Sequence, residues 1–290
     1  MRGSALLEVY ARWHWQQVVS RDLDPVYPVL ARVAREWGLS RSQTVWLVLL
    51  HVTYYHLGSA IRAFTLAPSP RAVPRSLALS DLLTLPTGTE RRAHRDRRQL
   101  ARHLAALREA CSPDPLRWAS SGGMTWPGVI DTVMALHGNG RWAGYKTAEM
   151  FQKVCDFPIA ATDAGHRYSS GPRKGLALLF DWTPTGQDDE SIRALDTLTE
   201  ALAGALGEDD VAQVETSLCD FASLVGGHYY LGHDIDQMQA QLAGIPEGHE
   251  VWASRRAELP PNYLGELHGW SRVDTARCRV FAETGEVVVR

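Results

Sequence analysis

Cysteine is sparse and scattered. Cys111, Cys155, Cys219 and Cys278 stand alone with no Cys-x-x-Cys pair, which disfavours both a zinc module and a disulfide framework. Long apolar runs are missing as well. The most apolar stretch, Val45 to Val52, gives way to Thr53, Tyr54, Tyr55 and His56, well short of the roughly 20 residues a bilayer-spanning helix needs, so no membrane partner is expected. The first residues lack a basic segment followed by an apolar core and a small-residue cleavage site, and the expected compartment is the cytoplasm. Lysine is rare: Lys146, Lys153 and Lys174 are the three lysines among 30 basic residues, so each becomes a candidate for a specific role. No internal repeat or low-complexity tract is evident.

What the chain does have is a hydrophobic content of 45%, ordinary for a packed globule, and a lopsided charge. Residues 1–180 carry 23 Lys and Arg against 13 Asp and Glu, a net +10, whereas residues 181–290 carry 7 against 20, a net −13. A polyanion should meet the first part and be repelled by the second, although an acidic stretch also serves as a plain solvated helical face.

Hydrophobic spacing and capping residues predict a mainly α fold. A helix over 5–20 ends before Pro25, and a second opens at Pro28 and closes at Gly38. Ser40 with Gln43 forms a capping box for a long core helix whose apolar residues run from Val45 towards Phe64. Residues 66–88 form a connection, Glu90 to Arg108 resumes helix with seven arginines, and Thr125 caps a helix reaching Leu136. A further helix spans Arg141 to Val154, another Pro172 to Trp182, and three more fill 189–206, 208–225 and 234–243. Cys278 to Arg290 has the pattern of a small β-hairpin.

Between Leu136 and Ala148 two helices meet at the turn Gly138-Asn139-Gly140. Such a turn puts backbone N–H groups and a helix N-terminus on one side, an anion site that needs no base contact, and Arg141 adds a fixed cation. The same turn also serves as simple punctuation between helices. Lys146, one turn into the second helix and followed by Asp163, resembles the catalytic pair of helix-hairpin-helix DNA glycosylases. Here, however, four residues separate Gly140-Arg141 from the lysine, whereas those enzymes place it directly after the hairpin.

A wider resemblance rests on Arg21-Asp22-Leu23-Asp24-Pro25-Val26-Tyr27-Pro28, Tyr54-Tyr55-His56-Leu57-Gly58-Ser59, Leu85-Pro86-Thr87-Gly88-Thr89-Glu90-Arg91-Arg92 and Gly138 to Lys146. These segments resemble the phage amino acid:DNA transferases, also called α-glutamyl/putrescinyl thymine pyrophosphorylase-like proteins. Leu218-Cys219-Asp220-Phe221 is similar to a late motif of that family, but the basic residues expected after it are replaced by Ala222 to Tyr230. The resemblance implies a helix-hairpin-helix, glycosylase-like helical fold and a role in thymine hypermodification, in which an amine replaces pyrophosphate on a 5-hydroxymethyluracil-derived base. It implies double-stranded phage DNA and an amino acid or polyamine as substrates, the upstream base kinase as a candidate partner, no cofactor, and a host-cell cytoplasmic setting. Residues 1–180 then form a basic DNA-binding and catalytic part, with the acidic helical part at 181–290 packed into the same globule.

Each step of that chemistry points to residues. Lys146 and Asp163 are the catalytic candidates. The base has to leave the duplex, so Tyr54, Tyr55, Trp142 and Tyr145 are candidates for stacking, although large apolar residues at helical spacing are ordinarily core. Pyrophosphate calls for cations and amides, supplied by Arg141, Arg167, Ser170, Arg173 and Lys174. Asp24, Tyr230, Asp234 and Asp236 are candidates to hold the amine, and Asp163 to take its proton. Gly138, Asn139, Gly140, Arg91 and Arg92 are the DNA-backbone candidates. His228, His233, Asp234 and Asp236 fit no compact ligand spacing, so no metal is expected. Two other readings remain open: a glycosylase using Lys146 and Asp163, and a non-catalytic DNA-docking module.

Overall fold

A computed structural model describes residues 2–77, 80–88 and 96–259. Thirteen α-helices and no strand occur among the described residues. The N-terminal part holds α1 (Arg2–Ser20), α2 (Val26–Glu36), α3 (Arg41–Tyr54), α4 (Leu57–Leu66), α5 (Arg97–Cys111), α6 (Pro115–Ala119), α7 (Trp126–Met134) and α8 (Arg141–Cys155). The rest holds α9 (Gly171–Leu179), α10 (Asp189–Leu206), α11 (Val211–Val225), α12 (His233–Ala243) and α13 (Gly248–Glu258). None is long and apolar enough to cross a membrane.

The centre of the molecule is α3, buried without interruption from Thr44 to Tyr54. Its start follows the capping box: Ser40 Oγ accepts from the Gln43 amide at 3.3 Å while Gln43 Oε1 accepts from the Ser40 amide at 3.0 Å. Helices α2, α4, α5, α6 and α8 pack around it. On the other side α9 lies along α11, which also touches α1 and α10, and one apolar core runs from Tyr10 to Leu259.

Several boundaries differ from the sequence expectation for local reasons. The apolar run from Val45 to Phe64 is two helices, because Tyr55 adopts the left-handed conformation at φ 45° and His56 begins a new helix, its Nδ1 accepting from the Ser59 amide at 3.0 Å. The break lets Gly58 face α12 so closely that a Cβ would lie 2.2 Å from the Gln241 carbonyl oxygen. Gly58→Ala is therefore expected to destabilise the fold by about 1–3 kcal/mol, the usual overpacking range, read as a lowered melting temperature. The arginine-rich helix is described from Arg97, capped by Asp96, and Glu90 to Arg95 lie outside the described residues. Pro28 lies inside the first turn of α2 rather than opening it, a position where its missing N–H costs nothing. Helix α9 stops at Leu179, short of Trp182. Arg91, Arg92 and the Cys278 to Arg290 hairpin lie outside the described residues.

Candidate active site

Helices α7 and α8 form the expected hairpin. Gly138 takes the left-handed conformation at φ 85°, and Asn139 locks the turn by donating from Nδ2 to the Val133 carbonyl at 3.1 Å. Close packing is possible because Gly144 presents no side chain to Ile130, whose Cγ2 would sit 3.0 Å from a Cβ. His103 Nδ1, from α5, donates to the His137 carbonyl at 2.7 Å and fixes the turn to the body. No side chain caps Gly140, so the first amides of α8 keep their partial positive charge at an open backbone. The Arg141 guanidinium lies 5.7 Å from the Tyr168 ring and turns to Asp163, with Nη2 2.9 Å from both carboxylate oxygens.

One turn further, Lys146 points inward. Its side chain is only 9% exposed, and the ammonium lies 2.8 Å from Glu149 Oε2, 3.3 Å from Asp24 Oδ2 and 3.1 Å from Thr216 Oγ1. Tyr27 donates to Glu149 Oε2 at 3.3 Å and Thr216 donates to Glu215 Oε2 at 3.4 Å. Three carboxylates, Asp24, Glu149 and Glu215, thus surround one ammonium, and Glu149 Oε1 is buried without a hydrogen-bond partner. Burial pushes the Glu149 carboxyl up to about 7 against the opposing pull of Lys146. Burial alone would lower Lys146, but Asp24 and Glu149 outweigh it and hold the ammonium well above its ordinary value. Asp24 itself takes the left-handed conformation at φ 52°, a region where Asp and Asn are better tolerated than most residues.

On the far side of Asp24 a small cavity is lined by His51, Tyr55, Asp234, Gln237 and Gln241 among others. Tyr55 meets Trp142 edge-to-face with ring centroids 4.7 Å apart. The other two aromatic candidates are packed: Tyr54 donates to the Leu82 carbonyl at 2.8 Å, and Tyr145 donates to the Asp163 carbonyl at 3.1 Å and stands on Trp126. Tyr230 and Asp236 are buried and bonded to each other at 2.6 Å. Beneath the cavity the fully buried Asp22 accepts from the amides of Gly232 at 2.7 Å and Ile235 at 3.0 Å, which anchors the start of α12, and burial raises it to about 7.

A larger cavity of about 440 Å³ opens beside the Tyr168 turn, lined by Arg167, Ser169, Ser170, Arg173 and Lys174. Two of its cations are engaged. Arg167 bonds the Gln187 carbonyl and pairs with Asp189, and Arg173 donates to the Thr185 and Gly186 carbonyls at 2.7 and 2.8 Å, so these two fasten the connection between α9 and α10. Lys174 is exposed and makes no ion pair among the described residues. Burial raises the Glu215 carboxyl and Ser169, on this cavity's wall, partly opposes that rise, so the cavity adjoins the Lys146 cluster.

The structure brings Lys146 and Asp24 together and places Asp234 on the adjoining cavity, while Asp163 stands with Arg141 instead of Lys146. Glu149, Glu215, Thr216 and Tyr27 were not singled out from the sequence. Glu149 had a signal, since Lys146-x-x-Glu149 places both on one helix face. Glu215 had none, as nothing local marks a residue that reaches the site from a helix 69 positions away from Lys146. A family model described as amino acid:DNA transferase matches residues 18–230, a span that contains the hairpin, the Lys146 cluster and the cavity beside Tyr168.

Proposed function

Because the chain belongs to the amino acid:DNA transferase family, we propose that it joins an amine to a modified thymine in duplex phage DNA, displacing pyrophosphate from 5-pyrophosphoryloxymethyluracil. The observation that supports this reading is the buried group in which Asp24, Glu149 and Glu215 surround Lys146, one turn along the helix that leaves the glycine turn. The uncapped amides of that turn hold the DNA backbone. The target base swings out at a cost of a few kcal/mol, offset by stacking on Tyr55 and Trp142. An amine arrives as an ammonium and attacks only after losing a proton, which a carboxylate of this group accepts. Its nitrogen then bonds to the methylene carbon as the C–O bond breaks, and the oxygen leaves with the electron pair on pyrophosphate. Lys174, Ser170 and the start of α9 receive that anion. Asp163 serves as the residue that orients Arg141. A base kinase must act beforehand to make the pyrophosphorylated substrate.

Incubating the protein with pyrophosphorylated hydroxymethyluracil DNA and amino acids or polyamines, followed by nucleoside mass spectrometry, tests the reading. A new amino-linked nucleoside is expected, and unchanged nucleosides with every amine would overturn it. The rate should rise as pH passes through about 7, because Glu149 accepts a proton only when ionised. Base excision through Lys146 is disfavoured, since a lysine held firmly as an ammonium is a poor nucleophile. Borohydride is accordingly expected to trap no protein–DNA adduct, and a trapped adduct would favour the glycosylase. DNA affinity should fall steeply with salt, and Lys174→Ala should reduce the log–log slope by about one unit, whereas an unchanged slope would remove Lys174 from the DNA-facing surface.

A further inference from the structure

The cavity on the far side of Asp24 has its own electrostatic signature. It measures about 50 Å³, room for an ammonium and a few carbon atoms rather than a large side chain. Its lining includes the carboxylates of Asp24 and Asp234, the amides of Gln237 and Gln241, and neither Arg nor Lys. The nearest ammonium, Lys146, lies beyond Asp24 and is already held by Glu149. His51, only 4% exposed, also lines the cavity, and its Nδ1 has no hydrogen-bond partner. A buried ring nitrogen left unpaired is costly unless something supplies the missing contact. Burial keeps this imidazole neutral, with its pKa down at about 3, so it adds no positive charge to the cavity.

We infer that this cavity is the co-substrate subsite: it takes the amino group between Asp24, Asp234 and His51 Nδ1, and selects amines with a cationic or neutral tail over those with an acidic one. The inference rests on the transferase reading for its place in the reaction, but not for the binding itself. An ammonium donates to Asp24 and to His51 Nδ1 in the tautomer that leaves this nitrogen as acceptor, and it lies beside the carboxylates that remove its proton. A second carboxylate on the co-substrate would face Asp234, whose Oδ1 meets His233 Nδ1 at 2.8 Å, with no Arg or Lys in the lining to balance it, and like charges so placed reject a ligand more strongly than neutral contacts attract one.

The test gives the full chain pyrophosphorylated hydroxymethyluracil duplex with equal concentrations of ethylenediamine, glycinamide and glutamate, and reads the products by mass spectrometry. The same three compounds are titrated calorimetrically into DNA-free protein. Ethylenediamine and glycinamide should be incorporated ahead of glutamate by about tenfold or more, the scale one partly solvated charge contact supplies. Asp234→Asn should lower the ethylenediamine-to-glutamate ratio by about tenfold and weaken ethylenediamine binding in step, and His51→Phe should weaken the binding too. Preferred incorporation of glutamate, or a ratio unmoved by Asp234→Asn, overturns the subsite while leaving the transferase reading intact. Ethylenediamine binding that depends on Asp234 with no transfer of any amine sustains the subsite and overturns the transferase reading. Neither binding nor transfer removes the subsite.

Discussion

Lys146→Met is expected to lower folding stability by about 3–5 kcal/mol, the typical result of stripping one partner from a buried ion pair, and to abolish amine transfer. Methionine fills nearly the same volume, so the loss comes from electrostatics rather than from a cavity. Lys146 is 9% exposed and faces Asp24, Glu149 and Glu215, and Glu149 is fully buried with one oxygen already unpartnered. Without the ammonium these carboxylates take up protons or water must enter. Chemical denaturation of the variant measures the loss, and an unchanged midpoint would show that the group is solvated rather than buried. Lys146→Met combined with Glu149→Gln should recover part of the stability without recovering transfer, which separates the structural role of the charge pair from its chemistry.

The same group sets a pH dependence. The folded state holds the proton of Glu149 up to about 7, above the ordinary 4.5. Its contribution to stability is therefore complete below about 4.5 and lost as pH climbs to about 7. Asp22, raised from 3.8 to about 7 by burial, acts in the same direction over the window that starts at its own lower value. Removing Lys146 takes away the influence that lowers Glu149, so the window of the variant extends to higher pH. Its deficit should consequently be larger at pH 8 than at pH 5, in the range where amine transfer by the intact protein is expected to rise.

Residues whose partners are near in sequence were the legible ones. Ser40 with Gln43, Thr125 before Trp126-Pro127, and Gly138-Asn139-Gly140 each act through bonds that close within six residues, so type and spacing reveal them. The split between α3 and α4 was not legible, because it rests on a left-handed Tyr55 and a capping His56, residue types that do not ordinarily mark a helix end or start. The site divides in the same way. Lys146 stood out because lysine is rare here and follows the hairpin, and Asp24 because it lies within the distinctive Arg21 to Pro28 segment. Their meeting depends on a left-handed turn at Asp24 and on the packing of α2 against α8, neither of which local spacing encodes. Asp163 was matched to Lys146 by its distance along the chain alone. In the fold that loop passes the start of α8, and Arg141 at its first position meets the carboxylate before Lys146 can. Tyr54 and Tyr55 show how finely helix geometry sorts neighbours: one seals the core against Leu82, and the other, one residue past the helix end, reaches Trp142 and the cavity.

Gly140→Val should leave the melting temperature nearly unchanged and weaken duplex DNA binding by about tenfold or more, the factor that one lost charged or amide–phosphate contact of about 1.4 kcal/mol carries. The two glycines of the turn make different demands. Gly138, at φ 85°, needs a backbone that L side chains rarely adopt, so substitution there strains the fold itself. Gly140 has an ordinary φ of −116°, and a Cβ added to it meets nothing within 4 Å. The fold therefore tolerates a side chain at 140. What such a side chain obstructs is the open space in front of the first amides of α8, where a phosphate would approach. Fluorescence anisotropy with a short duplex, alongside thermal unfolding, reads both quantities. Intact binding by a well-folded Gly140→Val protein would mean that DNA lies elsewhere, and the uncapped start of α8 would then be a structural feature only. Lost binding at unchanged stability would fix the duplex against the hairpin, with Tyr55 and Trp142 facing the base and Lys146 lying inward of them.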